Sequence, residues 1–120
     1  MNIEEFIRAI QKRPLMYIEA LRIEYIYHLL TGFHLSNVSN KNYNDVDRCF
    51  HSFFKKWILQ WIRKNKNPDY DVESFYWHHF IKDITESEEE AVELFFQLSE
   101  QFFEEYHSKE GFAADFLLDN

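Results

Sequence analysis

Apolar residues recur every three or four positions along most of this chain, the periodicity of helices with one buried face. The clearest case runs from Ser87 to His107, where Ala91, Leu94, Phe95, Leu98, Phe102 and Tyr106 share a stripe that Val92, Phe96 and Phe103 widen to about half the circumference. Ser87 followed three positions later by Glu90 is a capping-box pattern, in which hydroxyl and carboxylate each accept an orphan backbone N–H. A second long arc, from Val46 and Phe50 through Phe53, Phe54, Trp57, Ile58 and Trp61 to Ile62, predicts a helix over Val46–Lys64. Asn44 or Asp45 caps it, Lys55, Lys56, Arg63 and Lys64 decorate its outer side, and the Ser87 helix is its natural packing partner.

Ile3, Phe6, Ile7 and Ile10 predict a shorter helix from its cap Asn2 to Lys12, stopped by Pro14. Pro14 sets a corner after which Met16, Tyr17 and Ile18 are expected to plug the core. Glu19 to Phe33 reads as a further helix burying Ile26, Leu29, Leu30 and Phe33, with Gly32 a C-terminal signal or a close-packing site. The Asn-rich stretch from Ser36 to Asp45 reads as a surface loop and Asn67-Pro68-Asp69 as a turn. Val72 to Ile84 is aromatic enough for a strand, but a lone strand has nothing to pair with, so it is predicted helical. After Gly111, the residues Phe112, Phe116, Leu117 and Leu118 predict a short amphipathic tail that docks back. The result is an all-α, single-domain bundle of about five helices. Thirteen Phe against two Gly and two Pro agree with long helices in place of a turn-rich sandwich.

Charge changes the picture. The net value is −8, but residues 1–82 carry 12 Lys and Arg against 9 Asp and Glu, whereas residues 83–120 carry one against 12. On the polar face of the Ser87 helix stand Glu89, Glu90, Glu93, Glu100 and Glu104 with Gln97 and Gln101, and no Lys or Arg occurs from Thr85 to Ser108. Such a ridge repels a phosphate backbone and steers a basic protein toward itself, although acidic runs are also ordinary solvated faces. A single cysteine, Cys49, and the lack of an apolar leader or membrane span predict a cytoplasmic protein that makes no membrane contact.

Catalytic chemistry finds little support. His78 and His79 are adjacent, so on a helix their rings diverge by about 100° and chelate no common ion; no HExxH or CxxC pattern accompanies them. No metal or cofactor is expected. Trp57, Trp61 and Trp77 read as core, Cys49 as inert packing, and Arg48 with His51 as a chance surface pair. Arg22 and His28 have the Arg-x5-His spacing that resembles the HEPN ribonucleases. Six residues along a regular helix, however, separate the two side chains by roughly 120°.

Arg13-Pro14-Leu15-Met16-Tyr17-Ile18, a second helix ending in Gly32-Phe33, Trp77 with Ile81, and a helix bearing Ser87, Glu89, Glu90, Ala91, Phe95, Phe96, Leu98 and Phe102 together resemble a group of small bacterial helical proteins. Phe33 stands where Tyr is commoner, and Phe75-Tyr76 where a Gly precedes the Trp. The resemblance covers most of residues 1–106. That group is similar to the immunity proteins of contact-dependent growth inhibition and other polymorphic-toxin systems. It implies a binder without catalytic residues that neutralises a cognate toxin domain, commonly a basic nuclease. The acidic face fits that role, with Glu89, Glu93, Glu100 and Glu104, and further Asp69 and Asp71, as the expected partner-binding residues. Alternatives are a HEPN-like ribonuclease resting on Arg22 and His28, or a subunit that binds some other protein.

Overall fold

The apolar arcs of the two longest helices meet in a computed structural model that describes residues 1–117. Its elements are α1 (Ile3–Lys12), a 3-10 turn (Pro14–Met16), α2 (Ile23–Ser39), α3 (Asp45–Asn65), α4 (Trp77–Asp83), α5 (Glu88–Ser108) and the single turn α6 (Ala114–Leu117). No strand occurs among the described residues. Phe54 of α3 stands at the centre, its ring 5.2 Å from Trp77, 5.5 Å from Phe102 and 6.0 Å from Phe95, all edge-to-face. Edge-to-face pairs align the positive rim of one ring with the negative face of another, so this core gains orientation as well as buried area. One continuous cluster joins every helix to these rings, and Phe112 and Phe116 close it from the tail as expected, both buried. Leu118 lies outside the described residues.

Local signals place three helices well. Asn2 and Glu5 form a reciprocal capping box on α1, with N–H donors at 2.8 and 2.9 Å. Asn44 and Asp47 form another on α3. At α5 the Ser87 hydroxyl accepts the Glu90 N–H at 3.1 Å, but the Glu90 carboxylate takes the N–H of Glu86, one residue before the expected one. Beyond α5, Gly111 adopts φ 74°, a left-handed turn that glycine makes without Cβ strain.

Elsewhere tertiary contacts override the local pattern. α2 starts four residues later and ends six residues later than its apolar pattern predicts. Its first N–H, that of Ile23, is accepted by the Glu88 carboxylate at 3.2 Å, a cap supplied by α5. Ser36 to Ser39 remain helical because Asn37 is buried and its amide donates to the Met1 carbonyl at 3.4 Å; Lys41 at φ 60° then ends the run. Gly32 is therefore neither a terminator nor a packing site, but an exposed mid-helix residue with open space where a Cβ would stand. Only Trp77–Asp83 of the predicted Val72–Ile84 helix forms, since the preceding residues are held by Arg63 and by the Ser74 hydroxyl. At the Pro14 corner Ile18 is buried, whereas Leu15, Met16 and Tyr17 are 67%, 68% and 40% exposed. The 3-10 turn is too short to bury more than one side of itself, so Met16 and Tyr17 do not plug the core.

Two substitutions of opposite sign follow. Gly32→Ala is expected to raise stability by about 0.5–1 kcal/mol, through helix propensity and a less flexible unfolded chain. Asp47→Ala, which strips the box and a second helix cap, should cost about 2 kcal/mol, with exposed Asp45→Ala close to neutral; urea unfolding measures all three.

Candidate functional site

A straight helix turns residues 89, 93, 97, 100 and 104 into one line spanning about 80° of arc and about 22 Å of axis. Glu89, Glu93, Gln97, Glu100 and Glu104 accordingly form an exposed stripe on the side of α5 opposite Phe95, Leu98 and Phe102. None of the four carboxylates takes part in an ion pair among the described residues. The neighbouring acidic groups behave differently. Glu105 accepts the Trp57 indole N–H. Glu88 is bound to Lys82 at 3.1 Å and to the Ile23 N–H; burial alone would raise its carboxyl, but these partners hold it below the ordinary value. Glu4, though acidic and buried, is satisfied by Arg8 and by His107 Nε2, both at 2.7 Å.

Asp69 and Asp71 do not join the α5 stripe. They belong to the segment after α3, where Asp71 pairs with Arg63 at 3.6 Å and Tyr70 between them donates its hydroxyl to Asp83. Arg22, at the N-cap of α2, is bound to Glu24 at 2.6 Å and lies over the Tyr25 ring. His28 sits further along α2 against Tyr27 and, at 6.4 Å between ring centroids, His78. Cys49 is buried and its thiol is pushed up to about 11 by that burial and by Asp45, which makes it a poor nucleophile. Among the described residues no three His, Cys, Asp or Glu side chains are grouped to hold a metal. No described helix is long and apolar enough to cross a membrane.

The histidines hold what the sequence concealed. His34 of α2 and His51 of α3 stack face to face, 3.6 Å between centroids and 9° between planes, with Tyr43 edge-on to His34. Burial lowers the pKa of both, and for His34 the neighbouring His51 lowers it further. They border a cleft of about 460 Å³ between α2 and α3. No spacing rule links residues 34 and 51, because their meeting depends on α2 continuing beyond Phe33.

His78 is 6% exposed and its Nδ1 has no hydrogen-bond partner. Burial, then His79 and His28, push its pKa down to about 4. Since the unfolded chain takes up the proton near pH 6.5 and the folded chain only near 4, stability is fully present above the higher value and declines as pH falls through that window. The expected loss between pH 7 and pH 4 is of the order of 2–3 kcal/mol from this group. His78→Phe should flatten that part of the profile when unfolding is measured across the range.

Comparison with protein-family models, with curated proteins and with solved structures finds no match to this chain.

Proposed function

We propose that this protein is a binder of the immunity type, which captures a basic protein domain on the acidic stripe of α5 and carries out no reaction itself. The observation behind the reading is that Glu89, Glu93, Glu100 and Glu104 form a straight, exposed line that makes no ion pair among the described residues, on a helix packed on the aromatic core. Like charges about 6 Å apart on a helix, as in the pairs Glu89/Glu93 and Glu100/Glu104, repel one another, so the arrangement costs some stability and gains it back when cations arrive. A rigid helix adds little ordering cost on binding, and its field speeds encounter with a positive surface. Nuclease toxins need positive clefts to hold phosphates, and a row of carboxylates presents them with the same sign of charge as their substrate. Asp69 and Asp71 lie on a separate segment and are secondary to this stripe.

The test is co-expression with the product of the adjacent reading frame. Relief of growth arrest and a co-purifying complex are the expected results. The E93K/E100K/E104K variant should keep its helical CD signal while its association rate falls by at least about tenfold at low salt, with a flatter ionic-strength dependence. Tight, fast binding by that variant, or a neighbouring product that arrests nothing and binds nothing, overturns the reading.

A further inference from the structure

The cleft between α2 and α3 is lined by no residue of α5, so whatever it holds is distinct from the acidic stripe. Its inner surface is apolar, with Leu30, Phe50 and Trp77 buried behind it. Phe75, 78% exposed, forms one lip. At the mouth stand His34, His51, Ser52 and Lys55. Neither imidazole, nor the Ser52 hydroxyl, nor the Lys55 ammonium has a hydrogen bond or ion pair among the described residues. The Lys55 ammonium rests 6.0 Å from the centroid of the Phe75 ring.

The axis of α3 gives the cleft a polarity. Asp47, His51 and Lys55 follow at intervals of four residues, on one face, so Asp47 and Lys55 are about 12 Å apart. Asp47 is 4% exposed, and its two oxygens accept the N–H groups of Ile3 at 2.7 Å and Asn44 at 3.1 Å. The negative end is thus closed by its own hydrogen bonds, while the ammonium at the positive end makes no hydrogen bond or ion pair among the described residues and has only the Phe75 ring beside it. A partly open volume of about 460 Å³ with aromatic walls suits a ring, and pockets of this size with a few convergent polar groups are typical of small-molecule sites.

We propose that this cleft binds a small aromatic acid, its ring lying inward over Leu30, Phe50 and Trp77 and its carboxylate at the mouth between Lys55 and the N–H of His51. Cationic ligands are disfavoured there by Lys55, in spite of the protein's overall negative charge. His51 and Lys55 are four residues apart on one face of α3, so a carboxylate at the mouth can be met by both side chains. The site needs no partner protein and no α5 glutamate.

Phenylacetate and indole-3-acetate are the probes, with phenylacetamide and plain acetate as controls, titrated into the full-length isotope-labelled protein by NMR. Both acids should produce saturable shifts confined to His34, His51 and the Trp77 indole, with Kd of about 1 mM or tighter for ligands of this size. Each acid should bind about tenfold more tightly than the amide, and acetate should give no saturable shift at these residues. K55M, a substitution at the mouth, should remove the advantage of the acid and leave the amide unchanged, whereas E93K/E100K/E104K should bind both as before. Equal affinity for acid and amide, an unaffected K55M, saturation by acetate alone, or no saturable shift with either acid overturns the proposal. The α5 variant separates this outcome from failure of the partner-binding reading.

Discussion

The first turn of a helix leaves N–H groups without intrahelical acceptors, and where that turn is buried the acceptors must come from the protein. This chain meets the requirement with carboxylates brought from other helices. Asp47 of α3 accepts the first N–H of α1 and Glu88 of α5 accepts the first N–H of α2. Each bond joins residues far apart in sequence and favours charge complementarity with the helix dipole. These bonds tie the starts of α1 and α2 to α3 and α5, the helices that carry most of the aromatic core.

That constraint sorts the acidic residues into two populations. Glu4, Asp47 and Glu88 are engaged inside the fold, facing N–H groups or cations at 2.7 to 3.2 Å. The α5 stripe is engaged less: Glu89 lies in the first turn of its own helix, and none of the four carboxylates makes an ion pair among the described residues. Net charge alone does not distinguish the populations, since both lower it equally. Burial does. The exposed set is the one on which the proposed partner-binding reading rests, since its charge is available to solvent and to a partner alike.

Where local chemistry decided the structure, the sequence was enough. Asn2 with Glu5, Asn44 with Asp47, and the apolar arcs of α3 and α5 act within one helix, so α1, α3 and α5 lie within a residue or so of their expected bounds. The ends of α2 were illegible for the opposite reason, because Glu88 and the Met1 carbonyl that fix them are distant in the chain. The exposed Leu15, Met16 and Tyr17 show the limit of hydropathy: an apolar run predicts burial only if the backbone presents it to a neighbour, and a 3-10 turn presents one side. The α5 stripe was readable as a periodicity. The α2–α3 cleft was not, since its two stacked histidines sit on different helices, one of them beyond the point where α2 was expected to stop.

The two surfaces nonetheless share a structural element. Trp77 lines the α2–α3 cleft and stacks on Phe95 of α5, 5.1 Å between centroids and 12° between planes, on the buried side of the acidic helix. A dense core of rings transmits displacement poorly unless it has a second packing available, and Phe95 is enclosed with no exposed surface. Electrostatic communication is limited too, because exposed charges more than about 8 Å apart are largely screened at physiological ionic strength. The geometry therefore favours independence of the two proposed surfaces: ligand binding in the cleft would depend on short-range contacts at Lys55 and His51, and partner binding on the stripe would depend on ionic strength.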